Sequence, residues 1–262
     1  MKITAVVLTK NEEKNIRRCL KSVDFCEEVI VIDDYSTDKT LEKIQNPKSQ
    51  IPNKPKIQIF KRKLNGDFAE QRNFGMSKAS NDWILFLDAD EEISLDLKKE
   101  IISQLSVARN EIEAFYIKRR DFFWEKELKY GEVRHIRLIG LIRLIRKDSG
   151  KWQGNVHEVY FTSKASGVLE GFLNHYPHPT LKDFLNKINL YSDLRANELY
   201  KKGKKTNVFQ ILIWPFGKFI YSYFIKLGFL DGPVGFVYSF MMSFHSFLVR
   251  TKLYMLYQQH HK

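Results

Sequence analysis

Cysteine is scarce in this chain. Cys19 and Cys26 are the two in 262 residues, and their spacing forms neither a metal site nor a disulfide framework. They read as two reduced thiols in a reducing compartment. The N-terminal "MKITAVVLTKNEE" turns charged after a few apolar residues, so no secretory leader is expected there. Neither G-x-G-x-x-G nor G-x-x-x-x-G-K-[ST] occurs, which argues against a dinucleotide fold and a P-loop. Acidic residues thin out late in the chain: Leu181 to Lys262 hold twelve Lys/Arg against four Asp/Glu, within an overall net charge of +12. Fifteen of the 36 aromatic residues follow Lys205. No RNA-binding motif appears, and the basic excess lies beside apolar aromatics rather than in a polar groove, so no nucleic-acid partner is expected. A basic, aromatic tail on a nearly balanced body predicts two parts with different surroundings, residues 1–180 and 181–262.

What is present begins with a core. A hydrophobic share of 44% and a charged share of 28% suit a folded chain of this length. The body alternates strands and helices. "KITAVVLT" is an apolar strand, and "NEEKNIRRCLKSV" is a helix opened by Asn11 as N-cap. "EEVIVIDD" is a second strand, and "STDKTLEKI" a helix capped by Ser36 or Thr37. Residues 46–55 are a surface loop. "KIQIFKR", "DFAEQRNFGMSKA" and "DWILFLD" continue as strand, helix and strand. "SLDLKKEIISQLSVA" follows as a helix with Leu95, Leu97, Ile101 and Leu105 inward. This spacing implies an α/β fold, a mostly parallel sheet with helices on both faces.

In such sheets ligands bind at the carboxyl ends of the strands. Thr9-Lys10-Asn11-Glu12, Asp33-Asp34 and Asp88-Ala89-Asp90 all sit at those ends. "WILFLDADEEIS" places four carboxylates, Asp88, Asp90, Glu91 and Glu92, in five positions at the end of a buried strand. Such a cluster repels itself unless something positive binds. Asp88 and Asp90 share a face if the strand continues, and Glu92 then joins them. Carboxylates without Cys or His suit a hard divalent cation, Mg²⁺ or Mn²⁺. A lone D-x-D is usually a solvated turn or cap; three polar clusters at successive strand ends carry more weight.

"VVLTKNEEKNIRRCLKSV", "EEVIVIDDYSTDKT" and "FAEQRNFGMSKASNDWILFLDADEEIS" together resemble glycosyltransferase family 2, with its GT-A, Rossmann-like fold. "IRLIRKDSGKWQGNVHEVY", "FLNHYPHPTLKDFLNKINLYSDLRANE" and "WPFGKFIYSYFIKLGFLDGPVGF" are similar to the lipopolysaccharide-core β-glucosyltransferase branch. The resemblance implies a catalytic domain over 1–180, with a nucleotide-sugar half (1–120) and an acceptor half (121–180). It implies inverting transfer of a hexose such as glucose from a UDP-sugar to a hydroxyl of a glycolipid or lipopolysaccharide core. Thr9, Asn11, Glu12, Asp33 and Arg72 match the family's nucleotide-sugar site. The divalent ion would sit at Asp90, with Glu92 as a further ligand and Asp88 contacting the ribose or supporting the ion through water.

Inversion needs a base on a different segment from the ion. Glu158 is the candidate, with Asp148 and Asp121 as competitors. His157 would orient Glu158 or bind the acceptor. "HYPHP" (His175, His178) reads as a shaped loop, and "RHIRLIGLIRLIRK" as a strand pair with one basic face.

In the tail, Gly232 to Val249 hold no Asp, Glu, Lys or Arg. Eighteen residues is at the lower limit for a membrane span of roughly 18–20 residues. Helices lying in the membrane interface, with "KKGKK" against anionic headgroups, are the favoured reading. A span, or helices packed on the catalytic domain or in a dimer, are the alternatives. An interfacial tail predicts a cytoplasmic protein, peripheral on the inner face of a bacterial cytoplasmic membrane. Two rivals stand beside this: a polyprenyl-phosphate glycosyltransferase of the same fold, and a non-catalytic membrane-surface binding protein.

Overall fold

A computed structural model describes residues 2–45, 55–107, 112–154 and 158–260. The chain divides into two compact units, Met1–Arg120 with Ile136–Tyr176, and Asp121–His135 with Pro177–Lys262. The division falls within two long strands.

The first unit carries a mixed sheet. Its elements run β1 (Ile3–Thr9), α1 (Ile16–Ser22), β2 (Glu28–Asp33), α2 (Thr40–Gln45), β3 (Lys56–Lys61), α3 (Phe68–Lys78), β4 (Trp83–Asp88), β5 (Glu91–Ile93), α4 (Leu95–Val107) and β6 (Ile112–Phe123). After β7 (Lys126–Leu128), which belongs to the second unit, come α5 (Arg134–Ile139), β8 (Leu141–Arg146), β9 (Gly150–Gln153), β10 (Val159–Thr162) and β11 (Ala165–His178). The strand order is β3-β2-β1-β4-β8-β6-β11-β5. The β1–β2, β1–β4 and β2–β3 pairs are parallel. The β4–β8, β6–β8 and β5–β11 pairs are antiparallel. So the alternating front of the sequence makes the parallel half, and the later strands extend it in the other sense.

The apolar runs of β1, β2 and β4 follow from burial on both faces. Ala5, Val7, Val29, Val31, Leu85 and Leu87 enter one core with Ile16 and Leu20 of α1 and Leu97 and Ile101 of α4. The alternate residues Val6, Leu8, Ile30, Ile32, Ile84 and Phe86 enter another with Ala69 of α3, Trp152 and Tyr160. Gly75 lets α3 approach β1 closely: a Cβ there would lie 2.4 Å from Val6 Cγ1. On α4, Leu97, Ile101 and Leu105 are buried at a spacing of four, while Leu95 opens the helix exposed, against expectation.

Three local expectations are corrected. Helix α1 starts at Ile16 rather than at Asn11, because Asn11 takes a left-handed conformation (φ 54°) and spends its side chain on Thr37. Helix α2 starts at Thr40, whose N–H donates to Asp38 Oδ1 at 2.9 Å; neither Ser36 nor Thr37 caps it. "RHIRLIGLIRLIRK" is helix α5 followed by strand β8, not two strands. Gly140 divides them at φ 84°, donating to Ile136 O where α5 ends.

The second unit contains the hairpin of the β6 end with β7, a 3₁₀ turn (Gly131–Val133), and α6 (Leu181–Lys201). Next come α7 (Val208–Ile220), a π turn (Tyr221–Ile225), a 3₁₀ turn (Gly228–Asp231) and α8 (Gly232–His260). Its core joins Phe123, Leu128, Val133, Phe184, Ile188 and Met241. Asp231 is buried and accepts the N–H groups of Lys129 and Tyr130.

Candidate active site

Backbone register brings the strand ends together. Thr9 pairs with Asp33, and Leu8 with Asp88. Past β1 the chain is tied to the loop after β2. Asn11 N–H donates to Ser36 Oγ, Thr37 N–H donates to Asn11 Oδ1, and Glu12 N–H donates to Thr40 Oγ1. Asp33 is fully buried and takes Ser36 N–H at 3.1 Å. Asp34 takes Lys10 Nζ at 2.7 Å and Leu64 N–H at 3.0 Å. Thr9 Oγ1 is buried without a partner.

The four carboxylates of "DADEE" do not share a face. Strand geometry stops at Asp88, a turn takes Ala89–Asp90, and β5 begins at Glu91. That turn breaks the expected alternation: Asp88 and Glu91 share Arg143, while Asp90 and Glu92 face His175 and Tyr176. Asp88 Oδ1 accepts from Arg72 Nη2 and Asp88 Oδ2 from Arg143 Nη2, both at 2.9 Å. Glu91 is wholly buried; it accepts from Arg143 Nη2 at 3.0 Å and from the Asp88 N–H at 2.9 Å. Asp90 Oδ1 lies 3.6 Å from His175 Nε2. Glu92 accepts from Tyr176 OH at 3.0 Å, and Arg18 stacks 3.6 Å over the Tyr176 ring. The repulsion in the cluster is therefore relieved from within the protein at Asp88 and Glu91.

Arg72 extends the network to Glu158. Its Nε donates to Glu158 Oε1 at 2.7 Å, and its Nη1 is buried without a hydrogen bond. Glu158 keeps 14% of its side chain exposed, against 2% for Arg72. The placement follows from α3: Asn73, next to Arg72, exchanges two hydrogen bonds of 3.0 Å with the backbone of Trp152 on β9. Strand β9 pairs with β10, which begins one residue after Glu158.

Burial raises both carboxyls, Asp88 and Glu91, and lowers the Arg143 guanidinium, yet the net shifts diverge. It would raise the carboxyl of Asp88, but the Arg72 and Arg143 guanidiniums hold it far below the usual carboxylate range. Glu91 is pushed upward by burial and by the charge of Asp88, against the pull of Arg143. Arg143 is itself buried, yet Glu91 and Asp88 bind its proton more firmly than usual. A group whose charge is disfavoured beside one whose charge is favoured is a pattern common at functional sites.

Sequence alone leaves Arg143 out of the site residues, counts Glu91 in the cluster without a role and places His175 in a loop. Arg143 hid in the stretch expected to be a strand pair with one basic face; it is 4% exposed. His175 lies on strand β11 opposite Glu91, not on a loop. Among the competitors for the base, Asp148 lies in a turn at φ 64° and Asp121 is buried in the β6–β7 hairpin of the second unit. His157 lies outside the described residues.

A divalent ion fits this site in part. Among the described residues no group of three His, Cys, Asp or Glu is placed to hold a metal. Asp90 and His175 offer one carboxylate and one imidazole close together. Mg²⁺ commonly takes one or two carboxylates and draws the rest from substrate phosphates and water, and Mn²⁺ shares its preference for oxygen, so Asp90 is the fitting ligand and His175 the less usual one.

The comparisons agree with this architecture. The profile described as glycosyl transferase family 2 matches residues 4–161. An uncharacterized glycosyltransferase of Rickettsia typhi is 31% identical over 271 residues, covering 96% of this chain and 86% of the relative. The lipopolysaccharide core biosynthesis glycosyltransferase LpsC of Rhizobium meliloti is 27% identical, covering 96% and 92%. Among solved structures, the mannosyltransferase PcManGT of Pyrobaculum calidifontis, in complex with GDP-Man and Mn²⁺, is similar with a TM-score of 0.56. Identity there is 12%, and the match covers 96% of this chain and 86% of that one.

Proposed function

This chain belongs to glycosyl transferase family 2, and from that premise we propose that it moves a hexose from a UDP-sugar to a hydroxyl of a glycolipid or lipopolysaccharide-core acceptor, with inversion. The observation that carries the reading is the Arg72 bridge. One guanidinium joins Glu158, the candidate base, to Asp88 at the end of β4.

In the proposed reaction the acceptor oxygen attacks C1 of the sugar on the face opposite the diphosphate. The acceptor O–C1 bond forms, the C1–O bond to the β-phosphate breaks, and Glu158 receives the hydroxyl proton. Arg72 holds Glu158 through Nε and offers its unpartnered Nη1 to the departing diphosphate. Thr9, Asn11, Glu12 and Asp33 line the nucleoside side, where the orphaned Thr9 hydroxyl has a bond to give. Asp88 steadies Arg72 and would contact the ribose. Asp90, with His175 and with Glu92 farther out, would hold a divalent cation, whose charge would offset that of the leaving diphosphate. The UDP assignment draws support from the S. aureus TarS structure in complex with UDP, similar at a TM-score of 0.50 and 16% identity. The LpsC relative supports a lipopolysaccharide-type acceptor.

A lipid-borne acceptor implies work at a membrane, on the cytoplasmic face where nucleotide-sugars are made. Two stretches, Val208–Ile225 and Gly228–Gln259, are long and apolar enough to support this. The test is proton NMR of the product formed from a panel of α-linked UDP-sugars and extracted glycolipid. A β-linked product is expected. An α-linked product overturns inversion, and no transfer from any UDP-sugar overturns the donor assignment.

A further inference from the structure

In the second unit α6 buries its apolar face and α7 exposes its own. Helix α6 behaves as a surface helix should: Phe184, Ile188, Ser192 and Ala196 are buried, and its charges face outward. Helix α7 does the reverse. Phe209, Leu212, Ile213 and Phe216 recur at i, i+3, i+4 and i+7, and they are 69%, 64%, 49% and 66% exposed. Phe224 and Ile225 continue the stripe through the π turn, also half or more exposed. On their inner side α7 and the π turn hold both kinds of contact: Phe219 meets the Phe236 ring edge-on at 5.6 Å, Lys218 Nζ meets Glu132 at 2.7 Å, and Ser222 Oγ of the π turn meets Ser239 Oγ at 3.2 Å. An apolar groove of about 180 Å³, lined by Leu212, Pro215, Phe240, Phe244 and Phe247, runs beside the stripe. Apolar surface this extensive and continuous marks an interaction face rather than ordinary solvent-facing scatter.

The charge around the stripe selects the occupant. Lys201, Lys202, Lys204 and Lys205 immediately precede α7, and all four are exposed. From Leu199 to Lys262 the sequence holds nine Lys/Arg and a single acid, Asp231, which is buried. Trp214 and Tyr221, exposed along the same helix and turn, each carry a cation over the ring, Arg250 at 4.5 Å and Lys226 at 5.0 Å. Apolar surface rimmed by cations and amphipathic aromatics complements an anionic phospholipid leaflet. A second copy of the same face would bring lysines against lysines.

We propose that α7 and the π turn insert into an anionic phospholipid leaflet in the plane of the interface, to half their width, without crossing it. This rests on the lipid-borne acceptor of the proposed function and gives the membrane attachment its residues and depth. What the inner faces hold favours lying in the interface over crossing. Lys218 stands in the middle of the apolar stretch with Glu132 attached. Helix α8 is tied to α6 through Lys252, which meets Asp193 at 2.7 Å and Asn189 O at 2.8 Å. A bilayer on all sides would have to take in these ion pairs and the charged α6.

The test is co-sedimentation of the full chain with phosphatidylcholine vesicles, with and without phosphatidylglycerol. Depth is read as the Trp214 fluorescence that Trp214→Phe removes, quenched by lipids brominated near the headgroup or near the chain end. The proposal expects binding to the anionic vesicles and quenching by the shallow bromines. Phe209→Asp with Phe216→Asp should weaken partitioning roughly a hundredfold, since two exposed phenyl groups lose their burial. Replacing the four lysines by glutamine should weaken it by about two to three orders of magnitude, in anionic vesicles alone. Leu95→Glu, an exposed leucine of the first unit, should change nothing. Equal binding to neutral vesicles, quenching by the deep bromines, or a dimer that forms instead of vesicle binding would each overturn the proposal. Calorimetric UDP binding by the Phe209→Asp, Phe216→Asp chain reports folding and the donor site independently, so a failed insertion and a failed transferase reading give different results.

Discussion

Replacing Arg143 by methionine probes the network that underlies the carboxylate cluster. Arg143 is 4% exposed and is shared between Asp88 and Glu91. Methionine keeps most of the volume and removes the charge. Breaking a buried pair by deleting one partner costs about 3–5 kcal/mol, because the remaining charge is stranded. Asp88 keeps Arg72 at 2.9 Å, and Glu91 has Arg119 at 3.7 Å, so the lower end of that range, about 3 kcal/mol, applies. For a chain of this size that corresponds to a melting point lower by about 6–12 °C. The stronger form of the prediction is a cycle. Glu91→Met alone takes away one of the two carboxylates on Arg143 and leaves it Asp88 at 2.9 Å, whereas the double variant leaves neither charge unpaired at the Arg143–Glu91 contact. The double variant should therefore be less destabilised than the sum of the singles by about 2–3 kcal/mol. Urea unfolding of all four proteins at one pH measures this. Strictly additive effects would refute the claim that Arg143 and Glu91 neutralise each other inside the cluster.

Glu158→Gln should lower kcat by about two to four orders of magnitude while leaving UDP affinity near that of the wild type, since it removes the proton acceptor and not the donor pocket; calorimetry beside a transfer assay separates the two. Glu28 is buried and takes hydrogen bonds from Ser80 N–H, Thr4 Oγ1 and Ser80 Oγ, which outweigh burial and hold its carboxyl below the usual value. A lowered folded-state value gives stability that is present above the unfolded Glu range, about 4.3, and is lost as the pH falls through the folded value. The stability gap between wild type and Glu28→Gln, measured by urea melts, should thus be full at pH near 7 and shrink below pH of about 4; a gap independent of pH would count against this. Gly75→Ala puts a methyl group 2.4 Å from Val6 Cγ1 and should cost about 1–3 kcal/mol, read from the same melts.

The parallel half of the sheet was legible because β1, β2 and β4 are buried on both faces and so read as unbroken apolar runs, with helical periodicity between them. The strand ends, and with them Thr9, Asp33 and Asp88, followed from that. What stayed hidden depends on contacts distant in sequence. The turn at Ala89–Asp90 is set by Tyr176 N–H, which donates to Asp90 O, and by Glu91, which reaches back to the Asp88 N–H. No local pattern announces that Glu91, rather than Glu92, is the buried member of the pair. Arg143 looked like a solvated strand cation because two carboxylates some fifty residues earlier are needed to explain its burial. His175 looked like a loop residue because of the neighbouring proline, yet Pro177 is accommodated within β11. The basic, aromatic composition of the tail was plain, but which side of α7 faces outward depends on Lys218, Ser222 and their partners.

The central claim, that these strand ends hold a nucleotide-sugar donor, is tested most directly by calorimetric titration of UDP into the purified chain, with Mn²⁺ and with chelator, for wild type and Asp90→Ala. By this claim wild type should bind UDP with the ion and lose it with chelator, and Asp90→Ala should not bind. Absence of UDP binding under every condition, or binding that ignores both the chelator and the substitution, would contradict it.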